Sequence, residues 1–353
     1  MAGGIPLPKT AWALAPKLSA AFSRRSFPAP IVELSPECEE DRILQDQADE
    51  IAREGRYDDL LEILRRQLAS KTSTQTGFRH AESTFSGLYR EIYDQEDNLA
   101  GAERAAEPMF DWYEANYKDP DVAALVARAL QILAQIDQDL ADAKTRNGTP
   151  SEPIGNHLND ARKILDHSRS AGESREIWRR ALFRGARPES PGPESGVEHF
   201  ERFVAFDPGN VMTYLERAVQ LVPSRGGSYE AVESFARDAT QRTGDRWGAA
   251  LYTMIYMMVT DQAPLARTQA NWSWVLDGFE DMLELFAPIP IINDFVRLAA
   301  RAERKTMVQS LFQELPELRL DRWDDESEPF EAFAWANGKA PWPYGPGQKR
   351  ALD

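Results

Sequence analysis

Residues 57–68 read Tyr57-Asp58-Asp59-Leu60-Leu61-Glu62-Ile63-Leu64-Arg65-Arg66-Gln67-Leu68. Tyr57, Leu60, Leu61, Leu64 and Leu68 fall at i, i+3, i+4, i+7 and i+11, the spacing of one face of an amphipathic helix. Just upstream, Ile43, Leu44, Ala48 and Ile51 make a second stripe. Gly55 stands between the two, where a left-handed residue ends a helix. A turn this short predicts two helices packed antiparallel as a hairpin.

The same punctuation recurs outward from that hairpin. Asp119-Pro120 reads as a cap with a first-turn proline. The stripe Val122, Leu125, Val126, Ala129, Leu133, Ile136 and Leu140 follows it. Asp207-Pro208 repeats the signal ahead of Val211, Tyr214, Leu215, Ala218 and Val222, and Pro223 closes that helix. Further helices are expected around Val232–Ala239, Trp247–Val259, Trp272–Phe286, Ile291–Ala302 and Met307–Leu315. The apolar run Leu251–Val259 could pass for a buried strand. Its four-residue steps Trp247, Leu251, Ile255 and Val259 and its methionines favour a helix buried on nearly every side. Strand signals are otherwise almost missing.

The expected fold is therefore all-α, built of antiparallel helix pairs of roughly 30–45 residues in a tetratricopeptide-like or α-solenoid-like array. Five regions follow from composition: a flexible basic arm over 1–36, a helical lobe over 37–185, a Pro/Gly/Ser-rich linker or loop over 186–196, a second, tetratricopeptide-like lobe over 197–320, and a tail over 321–353, acidic and then rich in Trp and Pro. Residues 1–32 hold no acid and carry Lys9, Lys17, Arg24 and Arg25. Pro16 and Lys17 interrupt the apolar stretch that a secretory signal would need. Nothing approaches the roughly 20 apolar residues of a membrane span, so the chain reads as soluble and cytoplasmic.

Lys plus Arg is 41 against 57 Asp plus Glu, a net charge of −16. Such a field repels phosphate backbones and anionic membranes, and suits a basic partner. Cys38 is the only cysteine. It excludes an internal disulfide, and Glu37, Glu39 and Glu40 beside it disfavour a thiolate.

Three segments carry a family resemblance: Arg53-Glu54-Gly55-Arg56-Tyr57-Asp58-Asp59-Leu60, then Val222-Pro223-Ser224-Arg225-Gly226-Gly227-Ser228-Tyr229-Glu230, then Asn293-Asp294-Phe295-Val296-Arg297-Leu298-Ala299 with Leu311-Phe312 and Trp323 beyond. Over roughly residues 40–325 the chain resembles the bacterial domain-of-unknown-function family 4034, a helical, tetratricopeptide-like group. The resemblance implies a fold and no established activity. Ser224 and Arg225 stand where that family's Gly-Gly-Ser turn carries a tryptophan.

Candidate sites are few. Arg225, Gly226, Gly227 and Ser228 could form an anion site at a helix N-terminus, or simply a tight turn with a serine cap. No Lys-Ser or Lys-Thr follows, so it is not a phosphate loop. His157 and His167 would project about 80° apart on one helix, a poor chelate. Trp272, Phe279 and Phe286 repeat at seven residues and face the core, whereas Trp274 lies about 200° out of phase as a possible exposed anchor. No catalytic, cofactor or metal constellation emerges. The expectation is a protein- or peptide-binding module, of immunity or adaptor type, with a basic partner. The alternative is an enzyme with scattered residues in a cleft between lobes.

Overall fold

The structure, a computed structural model, describes residues 29–33, 35–146, 157–189, 196–260, 268–323 and 328–338. Among them are seventeen α-helices and a single pair of two-residue strands, so the chain is all-helical. It divides into two compact units. The N-unit comprises residues 40–74 and 78–213, and the C-unit comprises residues 1–39, 75–77 and 214–353.

In the N-unit the hairpin is α1 (Glu39–Arg53) and α2 (Tyr57–Ser70). Gly55 turns it at φ +70°, with Arg56 N donating to Ile51 O at 3.1 Å. Tyr57, Leu60, Leu61 and Leu64 are buried as their spacing predicts. The α1 stripe is rotated from expectation. Ile43 is exposed while Asp41, Ala48 and Asp49 are buried, because Asp41 accepts from Thr74 Oγ1 and Ser83 Oγ. The chain continues through α3 (His80–Leu88), α4 (Arg90–Tyr93) and α5 (Leu99–Asn116) to α6 (Pro120–Arg146). Asp119 caps α6 by accepting from Asp121 N at 2.9 Å. Its stripe is buried through Ile136, and Ala123, Ala127, Leu130 and Gln131 off the stripe are buried too, so α6 is the axis of the unit. Packed around it are α7 (His157–His167), α8 (Arg169–Gly172) and α9 (Glu176–Glu189), with α10 (Val197–Val204) on α9.

The stretch 186–196, read as a linker or loop, falls within the N-unit, and the units divide between Thr213 and Tyr214. Phe183 of α9 packs on Phe200 at 5.9 Å and on Phe203 at 6.0 Å. Those contacts hold α10 to the N-unit across the break, of which residues 190–195 lie outside the described residues. Asp207-Pro208 does not start the next helix either. Helix α11 (Val211–Gln220) begins later, and the Asp207 carboxylate is instead clamped by Arg79 Nε and Nη2 at 2.8 and 2.9 Å.

The C-unit holds α12 (Tyr229–Trp247), α13 (Ala250–Thr260), α14 (Trp272–Leu285), α15 (Pro288–Arg301), α16 (Lys305–Glu314) and α17 (Glu328–Ala336). Helix α13 is buried on nearly every side, as its composition predicts. It lies close on α14, where Thr253 Oγ1 donates to Val275 O at 2.8 Å, and Phe279 stacks on Phe295 of α15 at 3.9 Å.

The N-terminal arm, expected to be flexible through residue 36, is fixed from Ala29 onward apart from Leu34, which is not described. Strand β1 (Ile31–Val32) pairs in parallel with β2 (Leu318–Arg319). Ser35 donates from N and Oγ to the Asp321 carboxylate at 3.0 and 2.8 Å. Backbone groups and a side-chain clamp hold this segment, features that hydropathy and charge do not record. Residues 1–28, and the tail's Trp342 and Tyr344, lie outside the described residues. Trp323 is buried against Phe312 at 6.2 Å. No described helix is long and apolar enough to cross a membrane.

Candidate ligand pocket

A cavity of about 180 Å³ opens in the N-unit among α6, α7, α9 and α10. Amphipathic packing explains its floor. Each helix turns its apolar stripe inward, bringing Ala161 and Leu165 of α7 and Trp178 and Leu182 of α9 to one space. Gln131, on the face of α6 that meets α9, is the polar member of this floor and is only 2% exposed.

The Gln131 amide has one orientation open to it. Nε2 donates to Ala181 O at 3.0 Å, and a carbonyl can only accept, so Oε1 is turned the other way. Oε1 has no hydrogen-bond partner among the described residues. A buried acceptor left so costs about 1–3 kcal/mol. Trp178 Nε1 donates to Ser168 Oγ at 3.0 Å, which fixes the indole as one wall.

Around this floor stand Arg162, Arg169, Arg179 and Arg202, with His199. Arg162, Arg169 and Arg202 are exposed and Arg179 half-buried, so the guanidinium groups form the mouth. Only Asp166 and Glu173 oppose them in the lining. Arg169 pairs with Asp166, and Arg202 with Glu198 just outside. Arg179 Nε donates to Glu173 O at 2.9 Å while its Nη1 has no hydrogen-bond partner among the described residues. Four cations facing two carboxylates make a locally positive mouth in a chain of net charge −16. Guanidinium groups suit carboxylates and phosphates through paired N–H donors.

Behind α9, on the side of Arg180, lies a buried ionic cluster. Arg180 forks onto the Glu82 carboxylate, Asn210 Nδ2 donates to Glu82 at 3.0 Å, and the Arg180 guanidinium lies 4.3 Å from the Phe85 ring centre. Burial alone would raise the Glu82 carboxyl. The Arg180 charge and hydrogen bonds outweigh it and hold the group down at about 2. Glu176 is raised, by burial first and then by the Asp207 charge.

The residues singled out from the sequence lie elsewhere, in the C-unit. Gly226 is left-handed at φ +81°. The N–H groups of Arg225 and Gly227 donate to Val222 O and that of Gly226 to Pro223 O. A Cβ at Gly227 would lie 2.0 Å from Leu221 O. Ser228 Oγ accepts from Ala231 N at 3.1 Å as the cap of α12. Three of the turn's amides are thus satisfied within it, the arrangement of a joint between helices.

Trp274 is half-buried, edge-on to Tyr252 at 5.4 Å, with Arg237 5.1 Å from its ring centre. It packs on Tyr252, which with Tyr256 belongs to the aromatic set that the sequence offers as a groove lining, and the Glu233 carboxylate between them is what that reading missed. Glu233 Oε2 accepts from Tyr252 and Tyr256 at 2.6 Å each, and its Oε1 accepts from Arg237 at 2.6 Å. Burial first and the Glu233 carboxylate second raise both tyrosine hydroxyls. His157 and His167 stand at the two ends of α7. Among the described residues no group of three His, Cys, Asp or Glu could hold a metal ion. Cys38 lies 3.9 Å from Arg322 Nη1, a cation that the acidic neighbours in sequence gave no hint of.

The pocket was also missed. The arginine run Arg175, Arg179, Arg180, Arg184 and Arg187 did not announce it, since only Arg179 of the five lines the pocket. No family model matches the chain, and no curated protein or solved structure is similar to it.

Proposed function

We propose that this chain is a helical binding module that grips an anionic group in the arginine-rimmed pocket of its N-unit. The observation that carries this reading is the mouth itself: four guanidinium groups from α7, α8, α9 and α10 surround an apolar floor. The lining offers charge and shape: guanidinium groups, His199, the Asp166 and Glu173 carboxylates and one amide, with no Ser, Thr, Cys or Lys among them to serve as a nucleophile. Binding is what such a set does. The net charge of −16 argued for a basic partner, and an open depression lined by Asp46, Asp49, Glu50 and Glu54 would suit one. There, however, Arg53 pairs with Asp49, Arg90 with Asp46 and Arg56 with Glu54, so three of the four acids are already engaged. A tetratricopeptide-like stacking of helix pairs, and membership of the family that the three quoted segments resemble, are part of the same proposal. Stacked helix pairs would place ligand contacts on neighbouring helices, while the resemblance adds a fold and no activity.

The anionic group could be a free acid or the carboxylate of a peptide. Isothermal calorimetry on the full chain separates the two, using monocarboxylates, inorganic phosphate, and acidic peptides with free or amidated C-termini. Affinity should fall with added salt and drop at least about tenfold in the Arg179→Ala/Arg202→Ala double variant, the loss of one charge-assisted contact or more. An anion that binds with unchanged affinity to that variant would remove the pocket from consideration. So would the absence of binding by every probe.

A further inference from the structure

We infer that residues 29–33 and 35–37 are a releasable strap: they leave the C-unit together, while β2, the strand they cover, stays in place. The inference concerns the C-unit alone and does not depend on the pocket of the N-unit. Three observations carry it.

The strap is held by few bonds, most of them polar. Its ladder with β2 is two residues long, shorter than ordinary strands of about 3–10 residues, and parallel pairing is the weaker kind. Pro30 O and Glu33 O accept from Leu318 N and Asp321 N at 2.8 and 3.2 Å. Ser35 adds its two bonds to the Asp321 carboxylate. Ala29 and Ser35 are the buried side chains of the described strap, and both are small, while Ile31 is 50% exposed. A segment with so few buried apolar contacts lies at the low end of local stability.

Strand β2, by contrast, has an anchor of its own. Asn293 of α15 is fully buried. Its Oδ1 accepts from Arg319 N at 2.9 Å, and its Nδ2 donates to Glu317 O at 2.9 Å and to Ile289 O at 3.0 Å. Beside it the Asp294 carboxylate accepts a fork from Arg322. Neighbouring amides of β2 therefore divide their allegiance, Leu318 N to the strap and Arg319 N to α15. Losing the strap breaks the first set of bonds and leaves the second. The Asn293-Asp294 pair, conspicuous in the sequence, is what keeps residues 317–322 on the helix.

The ionic contact between strap and β2 is incomplete. Glu37 Oε1 lies 3.5 Å from Arg319 Nη2, where a well-made pair forks two bonds of about 2.7–2.9 Å. Glu37 Oε2 and Arg319 Nε and Nη1 are buried and have no hydrogen-bond partner among the described residues. Polar groups left so oppose closure, because opening gives them water. The open state bares Leu318 N and Asp321 N as donors along an edge that can pair with another extended segment.

Residue-resolved amide hydrogen exchange on the full chain tests this. Leu318 N and Asp321 N should share one protection factor within about threefold, and both should be at least about a hundredfold less protected than Arg319 N and Val296 N of α15. Ser35→Ala removes one bond to Asp321 and leaves the backbone of the strap intact. It should speed both amides by a common factor of about tenfold, with Arg319 N unchanged. If Leu318 N and Asp321 N exchange only as slowly as Val296 N, the strap is an integral part of the C-unit and the inference is overturned. It is overturned equally if Ser35→Ala speeds one of the two amides without the other, which is piecemeal fraying. Exchange of Arg319 N in step with them would show that β2 leaves as well, and would also sink it.

Discussion

Replacing Glu82 with glutamine removes one charge from a buried site while keeping its shape. Glu82 and Arg180 are 9% and 4% exposed, and Arg180, Arg184 and Asn210 surround the carboxylate. Two routes give the size of the effect. Removing one member of a buried ion pair costs about 3–5 kcal/mol, because the other charge is left in a poorly solvating place. Independently, the carboxyl is lowered from 4.5 to about 2, which at ~1.4 kcal/mol per pH unit corresponds to ~3 kcal/mol. A carboxyl lowered by folding contributes its stability above its unfolded value. Here that contribution is full above about pH 4.5 and is lost as pH falls through that value toward 2. Urea unfolding at pH 7, followed by far-ultraviolet circular dichroism, should show Glu82→Gln losing ~3 kcal/mol or more from one transition. Its stability should also fall less steeply than that of the wild type between pH 4.5 and 2. The Glu82→Leu/Arg180→Met double variant should regain only part of the loss, since it removes the Arg180 charge but leaves Arg184 and Asn210 without the carboxylate. A Glu82→Gln loss under ~1 kcal/mol with an unchanged acid profile would refute the reasoning. It would mean that the pair is solvated and structurally idle.

The turn at Gly226–Ser228 gives a graded set. Gly227→Ala forces a Cβ against the Leu221 carbonyl, which is backbone and cannot swing aside, so urea midpoints should report a loss of ~2 kcal/mol. Ser228→Ala removes only the cap on Ala231 N and should cost ~1 kcal/mol by the same assay; an equal loss in the two variants would contradict the steric account. Asp321→Ala deletes the acceptor of both Ser35 bonds. Amide exchange at Leu318 N, which donates to Pro30 O at 2.8 Å, should then accelerate while amides of α6 stay unchanged.

The parts of the fold legible in the sequence are those decided within a few residues. The spacing Tyr57, Leu60, Leu61 and Leu64, the turn at Gly55 and the Asp119 cap depend on local geometry, and each stands where it was read. The reading failed where a distant partner decides. Asp41 and Asp49 displace Ile43 from the buried face of α1, because a buried carboxylate is acceptable once it is partnered, Asp41 by Thr74 and Ser83 and Asp49 by Arg53. Asp207 looked like a helix cap, and Arg79, far upstream, engages it instead. Trp274 is out of phase with its own helix, yet Tyr252 and Arg237 cover it. The pocket was hidden for the same reason. Its arginines sit on separate helices at no fixed spacing, and Gln131 is a polar residue that lies off the apolar stripe of α6.

The pairing of β1 with β2 has a consequence for the order in which the molecule is made. Ile31 pairs with Leu318, a separation of 318 − 31 = 287 residues. At ~5–20 residues per second the ribosome delivers the second strand ~15–60 s after the first. Every residue from 40 to 213 emerges within that interval. The whole N-unit, with its α6 axis and its pocket, is therefore synthesised before β1 meets its partner, and β1 stays an unpaired edge for that time.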